Sequence, residues 1–477
     1  MRLPRLTRTI PRPGTGLVHF GPGAFFRSFV AAYTDQAMAA SGGEWGICAV
    51  SLRSAGIRDA LVPQGGAYQV VEMTPGGERP QRVEAITDVL VAPEDPGAVL
   101  AAMTDPGVHV VSLTITEKGY HLSPASGALQ RDDPEIARDI AHPRAPCTAP
   151  GFIVAALAAR RAAGIAPFAV LSCDNLPGNG ALARGVVLAL ARARDAELAD
   201  WIAANVRFPA TMVDRITPAT TEDDIARLAR ATGVEDRACV FAEPFRQWVI
   251  EDDFDTPRPD WAAAGAQIVG DVAPFEAMKL RCLNGTHSAL AYLGYLAGHE
   301  TVCDAVGDAP FEALCRHLWT AEILPTLETP EGEDLPAYCD ALLARYRNPA
   351  IRHRTWQIAM DGSQKLPQRL LAPMADQRAA GRGIGGLALA VAAWMRYVGG
   401  RDEAGRPIDV RDPLADRLRA LSAGADGPAA RVRALVSVET VFPRALAEDR
   451  GVIDALAQAL DGLERIGARQ MVGRLVA

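Results

Sequence analysis

The chain has 477 residues, of which 49% are apolar, with a net charge of −8 and a mean hydropathy of +0.05. That length exceeds one ordinary core, so two domains of a soluble globular protein are expected. The 49 basic residues are scattered rather than gathered into a stripe, which argues against nucleic-acid binding, and no run of about 20 apolar residues is present to span a membrane. The eight cysteines show no CxxC spacing and no regular framework. With the first 15 residues rich in Arg and Pro and lacking the apolar run of a signal peptide, they read as reduced thiols of a cytoplasmic protein.

Residues 1–15 read as a loose arm. Gly16–Gly21 (GLVHFG) reads as the first strand, and GPGAFFRSFVAAYTDQAMAA as a tight glycine turn opening a helix. In that turn Gly21 and Gly23 let the backbone approach a phosphate, exposed amides at the helix start would receive it, and Arg27 lies one turn on. The pattern is Gly-x-Gly-x-x-x-Arg rather than Gly-x-Gly-x-x-Gly, and a glycine turn before any helix has the same look. Trp45–Leu52 is a second strand reached through one helix, a βαβ unit. Val83–Leu90, Val108–Thr116, Phe168–Cys173 and Pro209–Val213 are further strands, with Ala-rich helices between several of them. Continuous apolar strands alternating with helices predict a mostly parallel sheet covered on both faces. Polar clusters leave these strands at Arg53, Thr116-Glu117-Lys118, Asp174–Asn179 and Asp214-Arg215, where an open sheet places its ligands. Asp253–Trp261 is an acidic surface loop, and Gln267–Val272 one more short strand.

From Phe275 the character changes. FEAMKLRCLNGTHSALA reads as a helix that carries Lys279, Asn284 and His287 towards a cleft. At about 100° per residue Asn284 lies roughly 140° from Lys279, with His287 between them at roughly 80°. Phe275, Met278, Cys282 and Ala289 take the opposite, core side, and Gly285 is a point of disturbance. Only Lys118, Lys279 and Lys365 are lysines among the basic residues. Arg cannot deprotonate in a protein, whereas a partly buried Lys can act as a base. Ala289–Gly298, Phe311–Leu327, Leu335–Arg347, Leu387–Val398 and Ala430–Leu463 read mostly as helices. The fold class is therefore α/β: a Rossmann-like, mostly parallel sheet domain over 1–274 followed by a mainly helical domain over 275–477.

A dinucleotide turn followed by a Lys/Asn/His segment points to hydride transfer at a carbinol carbon. The hydroxyl proton needs a base, and the developing alkoxide needs donors. Lys279 is the base candidate, Asn284 and Asn175 the donors, and His287 the group that orients the hydroxyl. Asn175 in its NLPG turn is equally readable as a turn-former, and His287 as a core histidine. No Tyr-x-x-x-Lys pair and no HxxxH or HExxH spacing is present, which leaves a metal-free oxidoreductase.

The stretches MKLRCLNGTHSALAYLGY, SCDNLPGNG, TITEKGY, VDRITPATT, RTWQIAMDGSQKLPQR and HFGPGAFFR resemble the polyol-specific long-chain dehydrogenase/reductase family over essentially the whole chain. The resemblance implies a metal-free NAD(P)-dependent enzyme with Lys279 as general base and Asn175 and Asn284 as the alkoxide hole. It also implies that His287 positions substrate and that Asp214 hydrogen-bonds the polyol chain. Glu117 and Glu276 would relay the lysine's proton to solvent, and the protein would be a monomer, with a dimer as the alternative. Gly21, Gly23, Phe25, Arg27 and Arg53 are the cofactor-binding candidates. The sequence departs from the family at Phe26 and Phe29, where His is common.

The second strand ends Ser51-Leu52-Arg53-Ser54, so Arg53 can meet a 2′-phosphate and NADP is open, while the family points to NAD. A buried carboxylate on substrate would need a Lys or a bidentate Arg. Lys365 and Arg369, four apart, supply both, although a role on hydroxyls or in a salt bridge fits them too. This favours a hexuronate substrate, reduction of fructuronate to mannonate, with mannitol/fructose interconversion as the alternative. A non-catalytic nucleotide-binding sensor is the remote third reading.

Overall fold

The structure is a computed structural model that describes residues 3–123 and 127–477. The chain divides into two compact units, Met1–Ala273 and Pro274–Ala477.

Among its described residues the first unit contains eleven strands: β1 (Thr15–Phe20), β2 (Gly46–Ser51), β3 (Tyr68–Thr74), β4 (Gly77–Val83), β5 (Ile86–Val91), β6 (Val110–Leu113), β7 (Ala169–Ser172), β8 (Thr211–Asp214), β9 (Val240–Ala242), β10 (Gln247–Glu251) and β11 (Gln267–Val269). The main sheet has the order β5-β2-β1-β6-β7, and every pair in it is parallel. Phe20 stands opposite Val50 on one side and Leu113 on the other. Such a sheet is covered on both faces, and β1 shows it residue by residue. Leu17 joins a core with Phe26, Phe29, Tyr33, Trp248 and Trp261, whereas Val18 and Phe20 join a second core with Phe152, Leu157, Leu190 and Ile202. The chain runs outward from β1 to β2 and β5, then returns to place β6 on the far side of β1. The strand order therefore reverses between β1 and β6, the position at which open α/β sheets bind ligands.

Two smaller three-stranded sheets flank this one. In β4-β3-β9 the β3/β4 pair is antiparallel, and in β11-β10-β8 the β10/β8 pair is antiparallel. The run Val83–Leu90, expected as one strand, is split. β4 ends at Val83, β5 begins at Ile86, and between them the Glu84 carboxylate accepts from the Thr9 and Ile10 amides. The hairpin strand β4 gave no sequence signal because GERPQRV is an exposed polar edge, where Pro80 is tolerated. Nor is the N-terminal arm loose over its described residues. The Leu6 amide donates to the Glu235 carbonyl, and Arg8 Nε donates to the Gly65 carbonyl at 2.7 Å.

The second unit is helical and holds no strand among its described residues. The helix Gly385–Tyr397 is buried almost all round and packs against Thr286–Leu296 and Arg450–Ile466. The stretch Ala430–Leu463 is not continuous. It divides into Pro428–Val436, Arg444–Ala447 and Arg450–Ile466, with Pro443 ahead of the second piece and the Asp449 carboxylate capping the third. Three segments, Lys279–Gly285, Leu318–Ile323 and Pro367–Leu371, wind as π-helix.

Candidate active site

In the first unit the turn after β1 is built by contact with the end of β6. Gly21 has φ of 91°, and a Cβ there would lie 2.1 Å from the Thr114 carbonyl oxygen. Only glycine fits that position. Beside it His19 is fully buried, stacked on Phe26 with centroids 3.6 Å apart. Its Nδ1 is 2.8 Å from Ser112 Oγ and its Nε2 is 2.9 Å from Thr114 Oγ1. Thr114 Oγ1 donates to the Gly21 carbonyl at 2.7 Å, so the network places the ring proton on Nε2 and leaves Nδ1 to accept from Ser112. Burial pulls the His19 pKa down to about 3, which keeps the ring neutral.

Gly23 differs from Gly21. Its φ of −68° suits any residue, and its added Cβ would find no protein atom nearer than 3.9 Å. The space beside it is therefore open to a ligand, and no side chain caps the short helix Ala24–Ser28 that follows. A glycine cradle at the reversal point of a parallel sheet fits a dinucleotide phosphate. Phe25 is half-buried and stacked on Phe29 at 4.9 Å. Arg27 is not at the mouth of the turn. It is buried, and its Nη1 donates to the Pro22 carbonyl at 2.6 Å, bracing the turn from behind. Arg53 stands exposed just past β2, and no carboxylate lies within ion-pair distance of it among the described residues.

The ends of β6, β7 and β8 carry the remaining polar groups of this unit. Asp174 is buried, and its carboxylate accepts from the Thr116 amide at 2.8 Å, the Ile115 amide at 3.1 Å and Tyr120 Oη at 2.8 Å. Burial raises its pKa, against the pull of these donors. Asn179 Nδ2 donates to the Asp174 carbonyl at 3.0 Å and to the Thr211 carbonyl at 2.9 Å, tying β7 to β8. Asn175 is thus an exposed residue held between two anchored neighbours of its loop. Glu117 is exposed and opens the short turn Glu117–Tyr120. Asp214 is the buried last residue of β8, followed by Arg215, whose Nη1 donates to the Ser28 carbonyl at 2.6 Å. Of these anchors, Asp174 and Asn179 were expected only as members of a polar cluster facing a ligand, and His19 and Tyr120 were not singled out. Their signal, polar residues at the ends of apolar strands, does not tell an anchor from a ligand contact.

In the second unit Glu276, half-buried, lies in the helix Ala273–Met278. Lys279 opens the π-helical segment, Asn284 lies near its end, and His287 follows in the first turn of Thr286–Leu296. They are 8%, 9% and 6% exposed. The winding corrects the expected angles. In an α-helix residues i and i+4 share a face because bonds run i→i+4; where they run i→i+5, residues i and i+5 do so. Lys279 and Asn284 are five apart, so they stand on one face rather than about 140° from each other. Phe275, Met278, Cys282 and Ala289 take the core side as expected. The free Cys282 thiol is hydrogen-bonded to the free Cys339 thiol, which with burial pushes its pKa well up and leaves it unreactive.

Gly285 lets the segment press against the Pro367–Leu371 turn, since a Cβ there would lie 2.9 Å from the Arg369 carbonyl oxygen. Arg369 Nη1 is 3.4 Å from Ser288 Oγ, and Lys365 Nζ donates to the Met360 carbonyl at 2.6 Å. Burial lowers the pKa of both cations; the Arg369 charge lowers that of Lys365 further, while Asp361 and Asp412 oppose the shift. Neither has a carboxylate within ion-pair distance among the described residues. His287 packs its ring on Tyr346 at 4.6 Å and on His353 at 5.2 Å. Burial, aided by His353, Arg345 and Arg369, holds its pKa well below 6.5, so the imidazole is neutral. His353 is lowered to about 4, chiefly by burial and then by Lys365.

Comparison with known proteins agrees with both units. The mannitol dehydrogenase Rossmann domain matches residues 15–263, and the mannitol dehydrogenase C-terminal domain matches residues 271–464. D-mannonate oxidoreductase of Escherichia coli is 46% identical over 96% of this chain and 95% of its own length. The solved ternary complex of Pseudomonas fluorescens mannitol 2-dehydrogenase with NAD and D-mannitol is 37% identical, with a TM-score of 0.86 over 99% of this chain and 96% of that one. A substrate-free D-sorbitol dehydrogenase is 33% identical, with a TM-score of 0.90 over 97% of this chain and 95% of that one. The chain belongs to the mannitol dehydrogenase family and is an NAD(P)-linked oxidoreductase of the polyol and sugar-acid kind.

Proposed function

We propose that the protein interconverts a secondary alcohol and a ketone on an open-chain hexitol, as in mannitol/fructose or sorbitol chemistry, with Lys279 as general base. The observation that carries this is the placement of buried Lys279 and Asn284 on one face of the π-helical segment, with neutral His287 in the next turn. NAD, held at the Gly21–Gly23 turn and met by Phe25 and Arg53, supplies the hydride acceptor when bound. Lys279 takes the hydroxyl proton as the O–H bond breaks. The amides of Asn284 and Asn175 donate to the oxygen as it gains negative charge. His287, neutral throughout the working pH range, orients the same hydroxyl, and Asp214 accepts from a hydroxyl further along the chain. Glu276 and Glu117 pass the proton from Lys279 to solvent. The mannitol and sorbitol dehydrogenases among the similar structures support the hexitol ahead of the hexuronate that the sequence favours.

A hexuronate or aldonate is the second reading. Lys365 and Arg369 are half-buried cations with no carboxylate within ion-pair distance among the described residues, a set that a substrate carboxylate would complete. The likeness to D-mannonate oxidoreductase supports it. The test is kcat/KM with NADH for D-fructose and D-fructuronate, and with NAD for D-mannitol, D-sorbitol and D-mannonate. Fructose and a hexitol should lead. If fructuronate leads, and Lys365→Met and Arg369→Met lose more on fructuronate than on fructose, the second reading replaces the first. Tight NADH binding with turnover of none of these would leave only the sensor.

A further inference from the structure

The α-helix through the Lys/Asn/His stretch changes winding twice, and a change from i→i+5 back to i→i+4 has a cost in hydrogen bonds. The amide of Thr286, the residue that closes the π-wound segment, donates to the Leu283 carbonyl rather than to the Cys282 carbonyl four residues before it. The buried Cys282 C=O at this junction therefore needs a donor from elsewhere. Side chains supply it. Thr286 Oγ1 donates to the Cys282 carbonyl at 2.6 Å, and Trp319 Nε1 donates to the same oxygen at 3.0 Å. Tyr346 Oη is 3.1 Å from the neighbouring Leu283 carbonyl and 2.7 Å from Thr286 Oγ1. With the Thr286 proton committed to Cys282, the single Tyr346 hydroxyl proton is shared between Thr286 Oγ1 and the Leu283 carbonyl.

All three side chains are buried, and they come from three separate elements: Thr286–Leu296, Leu318–Ile323 and Leu335–Tyr346. The Tyr346 ring also stacks on Trp319 and lies against His287. In a regular α-helix the Cys282 carbonyl would be satisfied by the Thr286 amide four residues on, and the side-chain donors to it would be superfluous. They match the π-wound form.

We propose that Tyr346, Thr286 and Trp319 are positioning residues that fix the π winding of Lys279–Gly285 and so hold Lys279 and Asn284 on one face. The kinetic part of this inference rests on the reading of Lys279 as base and Asn284 as donor. Tyr346→Phe keeps the ring against His287 and Trp319 and removes only the hydroxyl. Its kcat should fall about tenfold or more, as expected for a small misplacement of reacting groups, while the Kd for NADH stays within about twofold of wild type. Thr286→Val should lose a similar factor and Thr286→Ser should restore it. The Tyr346→Phe/Thr286→Val double variant should lose less than the product of the two single losses, because both act through one network.

A purely structural role would lower Tm and leave kcat at low temperature and the Thr286→Ser comparison unmoved; that result overturns the proposal. So does a crystal structure of Tyr346→Phe that keeps the i→i+5 winding with Lys279 and Asn284 undisplaced. A Lys279→Met enzyme that still turns over would defeat the catalytic reading instead, and the crystallographic arm would still decide whether these residues set the winding.

Discussion

Gly21 and Gly23 sit two residues apart in one turn, and the structure gives them opposite reasons for being glycine. At Gly21 the demand is internal. The φ of 91° disfavours any side chain, and a methyl 2.1 Å from the Thr114 carbonyl oxygen forces the turn or the end of β6 to move by about 1 Å. Adding about 1–2 kcal/mol for the left-handed backbone to about 1–3 kcal/mol for overpacking, Gly21→Ala should destabilise the protein by about 2–5 kcal/mol. At Gly23 the protein makes no demand, because φ is −68° and the nearest atom to an added Cβ is 3.9 Å away. Gly23→Ala should leave stability unchanged or raise it by up to about 1 kcal/mol through the unfolded state. If the open space beside Gly23 receives a phosphate, the same methyl should weaken NADH binding by at least tenfold, about 1.4 kcal/mol. Calorimetric unfolding and NADH fluorescence titration of the two variants separate the effects. Wild-type NADH affinity in Gly23→Ala, or equal destabilisation by both substitutions, would refute the cradle.

Three further outcomes follow from the sites described. Asn284→Ala should lose about 2–4 kcal/mol of transition-state stabilisation in kcat/KM with little change in Tm, the signature of a donor to the developing alkoxide. Arg53→Glu should raise the kcat/KM preference for NAD over NADP; an unchanged ratio would remove Arg53 from the cofactor's ribose end. The buried histidines set a pH dependence of stability, since His19 and His353 have folded pKa values of about 3 and about 4, below the ordinary 6.5. The unfolded chain then binds more protons, so their contribution is complete above about pH 6.5 and is lost as pH falls through that range. His19→Gln should flatten the slope of unfolding free energy between about pH 6.5 and 3, as measured by urea titration at several pH values.

The parallel sheet was legible because its strands are continuous apolar runs: β2, β6 and β7 fall within the expected segments, and β1 begins one residue ahead of its own. Short or polar strands were not. β9 has three residues, and β4 is an exposed edge whose sequence GERPQRV carries no alternation to a core. Lys279, Asn284 and His287 stood out by residue type and spacing, yet their relative orientation did not. An i→i+5 winding depends on donors contributed by Trp319 and Tyr346, 37 and 63 residues away from the carbonyls they meet. Arg27 shows the converse. Its spacing suggests a phosphate contact, but packing turns its guanidinium to the Pro22 carbonyl, a choice between water and core that local sequence does not encode.

The central claim is that Lys279 removes the proton from the reacting hydroxyl. The most direct measurement is single-turnover reduction of NAD by Lys279→Met with D-mannitol and with whichever substrate the wild-type protein prefers, alongside the Kd for NADH. Loss of a general base should lower the rate by at least about 10²-fold while NADH still binds as to wild type. A Lys279→Met protein that reduces NAD at the wild-type rate would contradict the account.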